Sequence, residues 1–256
     1  MKVFVAGASG AIGKPLIAEL IRQGHTVTGM TQSELGAAKL VEFGARAELA
    51  NAFDASAVES ALRRSDAEIV IDQLTSLPKN AADMPARQAG DIKLRIEGGG
   101  NLHRAAQNCG VRLYIQQGSG FFLKADRGLA DESSKLAVDA SPGIVPSARM
   151  YLQLEALTLN SSLPGIVLRY GFFYGPNTWY HPDGAAADQV GNSNFQSSDR
   201  DKEYGHSFTS RTQLTPPSPH SQPRPESTTW WIATPHRSAS GSQSSQNLSA
   251  LHRPRM

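Results

Sequence analysis

The chain has 256 residues, 39% of them apolar and 19% charged, with 25 Lys and Arg against 23 Asp and Glu for a formal net charge of +2. That length suffices for one good core, or one core and a small cap, and so slight a charge gives neither nucleic acid nor a membrane surface a footing as partner. A single cysteine, Cys109, excludes an internal disulfide, no Cys/His grouping has metal-ligand spacing, and no apolar run nears the roughly 20 residues of a membrane span, so a reduced, cytoplasmic, metal-free protein of open oligomeric state is expected.

The first element carries the most information. Lys2–Ala6 is a short apolar run suited to a buried parallel strand, and Pro15 followed by Leu16, Ile17, Leu20 and Ile21 reads as a helix start with one apolar face. Between them stand Gly7, Gly10 and Gly13. The first permits a tight turn, the second lets backbone approach a phosphate, and the third lets the helix press on the strand. Unpaired N–H groups of the loop and first helical turn, among Ser9, Ala11 and Ile12, then face an anion with the helix dipole behind them. Such an arrangement binds the pyrophosphate of a dinucleotide. The spacing is Gly-x-x-Gly-x-x-Gly, one residue wider at the first gap than the commoner fingerprint.

Strand and helix patterns then alternate: helix Lys14–Gln23, strand Thr26–Met30, helix near Ser33–Phe43, strand Ala47–Leu49, helix Ala55–Arg63, strand Glu68–Asp72, helix Gly90–Asn108, strand Arg112–Gln116, helix Ala148–Leu159 and strand Gly165–Tyr170. This predicts an α/β fold, a Rossmann-type doubly wound parallel sheet, with ligands at the carboxyl ends of its strands. Gly7–Gly13, Thr31–Ser33, Asn51, Leu74–Thr75 and Gly118–Ser119 should converge there. Gln32, Asn51, Leu74 and Thr75 are therefore candidate cofactor contacts beside the glycine loop. The second strand ends in Thr31, Gln32 and Ser33, where a carboxylate would select NAD and an arginine would select NADP. With no carboxylate to repel a 2′-phosphate, the expectation leans to NADP with NAD as the alternative. Asn51 is either an adenine contact or a surface-loop residue.

Val5–Gly13 resembles the opening of the extended and atypical short-chain dehydrogenase/reductases, the NAD-dependent epimerase/dehydratase group. Glu97–Ala106 is similar to that family's helix after the fourth strand, and Gly110–Ser119 to its fifth strand leading to an active-site serine. Leu168-Arg-Tyr-Gly-Phe-Phe-Tyr-Gly-Pro176 resembles its most specific signature. The resemblance covers residues 1 to about 190. It implies an NAD(P)-binding oxidoreductase acting on a nucleotide-sugar or small carbonyl substrate. It also implies a Tyr-x-x-x-Lys pair on the helix after the fifth strand, the lysine lowering the tyrosine pKa. No tyrosine here has lysine four residues on. Tyr151 is followed at that distance by Glu155, and aligning Glu155 with a glutamate of the relatives instead puts Tyr151 at the lysine position and Ser147 at the tyrosine position. Ser119 and Tyr151 remain the candidate catalytic residues, with Gly118 the alternative match for Ser119; Arg169 and Tyr174 are expected to hold a loop. Because the pair is missing, a non-catalytic NAD(P)-binding or sensing protein and an inactive truncated product stand as alternatives.

The composition changes near Gly191. Residues 191–256 hold 14 Ser and 7 Pro, and the alternation stops. The expected organisation is a dinucleotide-binding domain over residues 1–185 and a disordered or irregular Ser/Pro-rich C-terminal tail over 186–256. Trp230 and Trp231 side by side do not suit such a tail. Tryptophan has only the codon TGG, so another frame can be partly rebuilt. Taking the third base of each codon with the first two of the next, Ser227–Ile232 permits Tyr-Asn-Val-Val-Asp, and Glu203–Leu214 permits Val-Trp-Ala-Phe-Val-His-Val-Glu-Asp-Ala-Ala. Phe195–Lys202 in the same frame permits Pro-Ile-Val-Gly-x-Gly-Gln. All three resemble the family's C-terminal segments, in the right order. The tail thus reads as a frameshifted remnant of the substrate-binding region, the shift falling near Val190.

Overall fold

The structure is a computed structural model that describes residues 1–124, 130–171, 173, 178–181, 184 and 187, and the backbone of residues 234–237. Its elements are β1 (Lys2–Ala6), α1 (Gly13–Arg22), β2 (Thr26–Thr31), α2 (Glu34–Glu42), β3 (Arg46–Leu49), α3 (Ala55–Ser65), β4 (Ile69–Asp72), α4 (Met84–Lys93), α5 (Gly99–Asn108), β5 (Leu113–Ser119), α6 (Val145–Leu159), β6 (Gly165–Tyr170) and β7 (Thr234–Arg237). A π-turn over Leu94–Gly98 joins α4 to α5. The chain forms two compact units: a larger one of Met1–Pro78, Ala82–Phe172 and Trp231–Met256, which holds the sheet, and a smaller one of Lys79–Ala81 and Phe173–Trp230.

The strand order is β3-β2-β1-β4-β5-β6-β7. The first six run parallel, and β7 pairs antiparallel with β6. This is the doubly wound arrangement expected, and the order reverses between β1 and β4, where a ligand crevice opens. Alternate residues of β1 build two cores. Val3 and Val5 pack with Ile17 and Leu20 of α1 and Leu40 of α2. Phe4 and Ala6 pack with Val58 and Leu62 of α3 and Leu102 and Ala106 of α5. Covered on both faces, β1 needs an unbroken apolar run, and that is its sequence. Burying Phe4 completely contributes about 1.5–3 kcal/mol.

Several boundaries differ from the sequence expectation for local reasons. The helix expected at Gly90 begins at Met84, because Pro85 sits in its first turn, where no amide partner is lost, and Gly90 is carried within the helix. Pro146 likewise starts α6 at Val145, ahead of the expected Ala148. β5 runs on to Ser119 because backbone pairing with β6 continues through the polar Gln116-Gln117-Gly118-Ser119. In the segment expected to be irregular, Thr234–Arg237 forms β7; the rest of 188–256 lies outside the described residues, as does Tyr174.

One polar cluster crosses the α3–α5 core. The Tyr114 hydroxyl donates to Asp72 Oδ2 at 2.9 Å, and His103 stands edge-on to the Tyr114 ring at 4.9 Å. His103 is 2% exposed, and its Nε2 has no partner among the described residues. Burial pushes its pKa down. The fold thus holds the neutral imidazole, so its contribution is present above the unfolded pKa of about 6.5 and is lost as pH falls below it. Urea denaturation between pH 7 and 5 should show stability falling by up to about 1.4 kcal/mol per pH unit from this group, and His103→Leu should remove that part of the slope. An identical slope in the variant would contradict the assignment.

Candidate functional site

The loop after β1 is shaped by close backbone packing. Gly7 has φ +73°, and a Cβ on it would overlap the carbonyl of Gln73 just beyond β4. A Cβ on Gly13 would overlap the carbonyl oxygens of Gly7 and Ala8. A Cβ on Gly10, in contrast, would meet only Gly7 O, at 3.2 Å. The turn against which Gly7 packs is itself fixed. Leu74 N donates to Asp72 Oδ1 at 2.9 Å while Tyr114 holds the other oxygen, and burial pushes the Asp72 carboxyl up.

Inside the loop Gly10 N donates to Gly7 O and Lys14 N to Gly10 O. The amides of Ser9, Ala11, Ile12 and Gly13 make no hydrogen bond with any described residue. Helices α2 and α3 are capped by side chains: Ser33 accepts from Gly36 N at 3.1 Å, and Asp54 from Ser56 N and Ala57 N at 3.0 Å each. Helix α1 has no side-chain cap and no acidic residue in its first turn. Bare amides at a helix start form an anion site. These are the residues the sequence singled out.

Beside them lies a cleft of about 390 Å³ lined by Gln32, Glu34, Leu49, Ala50, Asn51 and Ala57, at the ends of β2 and β3 and the starts of α2 and α3. Gln32 and Asn51 are thereby brought together. Asn51 Oδ1 accepts from Phe53 N at 3.1 Å, which leaves its NH₂ group to donate. Glu34 was not anticipated from the sequence, because it stands beyond the strand end, at the first position of α2; that position was its signal. Among the described residues, no lysine or arginine lines the cleft. Leu74 is buried in the turn behind Gly7, and the Thr75 hydroxyl donates to Asp91 Oδ1 at 2.9 Å. Both lie at the carboxyl edge, outside the cleft lining.

Ser119 ends β5 and caps the short 3₁₀ turn Gly120–Phe122, its Oγ accepting from Phe121 N at 3.3 Å. Its proton makes no hydrogen bond with a described residue. Gly118, the alternative, packs with no room for a side chain: a Cβ there would lie 2.8 Å from Val167 Cγ1. Tyr151 on α6 is 6% exposed, with its ring 5.4 Å from that of Phe122. Burial raises its pKa, and Arg95 opposes the rise. Ser147 accepts from Gln88 Nε2 at 3.1 Å. Glu155 is occupied by Arg169, whose Nε and Nη2 donate to its two oxygens at 2.9 and 2.8 Å. Arg169 Nη1 also donates to the carbonyls of Glu132 and Ser134, so Arg169 does hold the loop. No lysine pairs with a tyrosine among the described residues. The described residues also contain no His/Cys/Asp/Glu group able to hold a metal and no helix long and apolar enough to cross a membrane.

Known proteins share this architecture. The model of the NAD dependent epimerase/dehydratase family matches residues 3–192. A 3-diazoavenalumate denitrifying reductase from a Streptomyces species is 39% identical over 193 residues, 74% of this chain and 62% of that protein. The Bordetella bronchiseptica enzyme WbmH in complex with NAD⁺ superposes with a TM-score of 0.58 at 19% identity, over 75% of this chain and 62% of that one. The Thermus thermophilus UDP-glucose 4-epimerase complex with NAD gives 0.55 at 23% identity, over 74% and 60%. The matched part of the chain thus spans about three-fifths of these relatives, and the two structures show a shared fold.

The two glycines should separate folding from binding. Gly13→Val, which forces a side chain into backbone, should destabilise by about 3 kcal/mol in urea denaturation. Gly10→Leu should stay within about 1 kcal/mol of the parent yet lose binding of ADP-ribose by calorimetry, since its side chain fills the space above the bare amides. Retained binding in Gly10→Leu would contradict this geometry.

Proposed function

The chain belongs to the NAD dependent epimerase/dehydratase family, and from that premise we propose that it is a nicotinamide-dinucleotide-dependent oxidoreductase acting on a small molecule. The observation that carries this is the set of unpartnered amides of Ser9, Ala11, Ile12 and Gly13 at the uncapped start of α1. These fit a diphosphate, and the adjoining cleft with Gln32 and Asn51 fits an adenosine. The bound dinucleotide would supply or take up hydride at the carboxyl edge of the sheet. Ser119 would donate its hydroxyl proton to a substrate oxygen, and Tyr151 would supply the proton that completes reduction. Leu74 and Thr75 would form the floor between the two ends.

The finer assignments rest on this chain's residues. Glu34 supports NAD over NADP: a carboxylate in the cleft can accept from a ribose 2′-hydroxyl and would repel a 2′-phosphate, for which the described lining offers no cation. This replaces the lean to NADP drawn from Thr31, Gln32 and Ser33 alone. A small substrate, as the name of the 39% identical reductase indicates for that protein, is favoured over a nucleotide sugar, which has only distant fold likeness behind it. The second reading, binding or sensing without turnover, is favoured by the absence of lysine beside Tyr151. Fluorescence titration should show NADH bound about tenfold or more tightly than NADPH, with Glu34→Gln narrowing the gap. Equal affinity would refute the role of Glu34, and failure to bind either would refute the whole assignment.

The division of the chain into a dinucleotide-binding domain over 1–185 and a remnant beyond it is part of the same proposal. The family match ends at residue 192, beside the composition change near Gly191, which supports a one-base shift in the coding sequence near Val190. Resequencing the gene should reveal a single-base insertion or deletion there that opens the Val-His-Val-Glu-Asp frame. An unaltered sequence would refute the shift and leave the Ser/Pro-rich segment as a tail in its own right.

A further inference from the structure

A second polar group lies at the carboxyl edge, apart from the glycine loop, and includes a buried guanidinium. Arg95 enters from the π-turn, its side chain 2% exposed. Its Nε donates to Asp91 Oδ2 at 2.8 Å and its Nη1 to Gln117 Oε1 at 3.3 Å. Asp91 in turn accepts from Thr75 Oγ1 at 2.9 Å and Ser76 N at 2.6 Å. The guanidinium is thereby pinned to the segment after β4 and to the end of β5. Its central carbon lies 5.4 Å from the centroid of the Tyr151 ring. Two polar groups in this place are left over: the Tyr151 hydroxyl and Arg95 Nη2 make no hydrogen bond with any described residue. Neither atom is among the fully buried unpartnered ones, so both stay open to a ligand. π-turns inside helices also mark functional positions often.

We propose that Arg95 is the positioning cation of the catalytic site and that, with Tyr151, it receives the reacting oxygen of the substrate. Tyr151 Oη would give its proton to that oxygen, a bound reduced dinucleotide would supply the hydride for the adjacent carbon, and the phenolate would recover a proton from solvent. Arg95 steadies the phenolate in between and offers Nη2 to the same oxygen. A cation delivered from a neighbouring helix by a π-turn thus does what an ammonium one turn along α6 would do. The groups facing Tyr151 are Arg95 and Asp91 from the α4–α5 stretch; on its own helix, Glu155 is tied to Arg169. The proposal rests on reading the carboxyl edge as a dinucleotide-dependent active site.

Tyrosine labelled with ¹³C at Cζ tests it by NMR on the full chain, with Tyr151→Phe assigning the resonance. Arg95→Met alone strands Asp91, so the informative variant is Arg95→Met with Asp91→Asn, checked for a parental thermal midpoint. The Tyr151 phenol should titrate about one pH unit or more higher in that variant, and Arg95→Lys should recover part of the difference. Adding NADH should move the Tyr151 resonance in the parent and leave it unmoved in Gly10→Leu. A folded double variant with unchanged titration overturns the pairing, and a Tyr151 resonance indifferent to bound NADH overturns the catalytic role. Failure of NADH to bind the parent at all refutes the dinucleotide assignment instead, while the titration still decides whether Arg95 governs Tyr151.

Discussion

Backbone meets backbone where β1 turns into α1, and the remainder of the site follows from that contact. Gly7 lies so close to the Gln73 carbonyl, and Gly13 so close to the carbonyls of Gly7 and Ala8, that no side chain fits at either. The loop therefore closes over the start of α1 while leaving the amides of Ser9, Ala11, Ile12 and Gly13 without an acceptor among the described residues. A helix start left in that state carries unsatisfied donors and the positive end of a dipole, and an anion satisfies both.

The sheet supplies the rigidity that this contact needs. β1 sits between β2 and β4 with both faces covered, so the glycine loop springs from a strand buried from Val3 to Ala6. Asp72 ends β4 and is held by Tyr114 from β5, and its other oxygen fixes the Leu74 amide. The buried carboxyl is thus a tie between neighbouring strands and the turn behind Gly7. Removing it would loosen the surface against which the loop closes. Ionic ties repeat further along the edge in Asp91–Arg95 and Glu155–Arg169, each buried and each fastening a loop to the sheet. Such pairs are costly to bury and strongly disruptive to break singly, so they define geometry more than they add stability.

What could be read from the residues was what depends on near neighbours in the chain. The β1, glycine and α1 succession was legible because an apolar run, three glycines and an amphipathic start are all local signals. The doubly wound topology was legible because strands and helices alternate at regular spacing. Glu34 was not, because its entry into the cleft depends on where α2 begins relative to the end of β2. Asp91 and Arg95 stand one helical turn apart and look like an ordinary surface pair. Only packing against β5 and α6, with the π-turn, shows them buried. Pro85 and Gly90 hid the first turns of α4, and the polar residues of β5 hid the strand that ends at Ser119.

The most direct test of the account is the set of backbone amide resonances in a ¹H–¹⁵N NMR titration with ADP-ribose, which carries the diphosphate and adenosine but no nicotinamide. The largest shifts should fall on Ser9, Ala11, Ile12 and Gly13, with smaller ones at Gln32 and Asn51. Binding that leaves those four amides unmoved while others shift would contradict it.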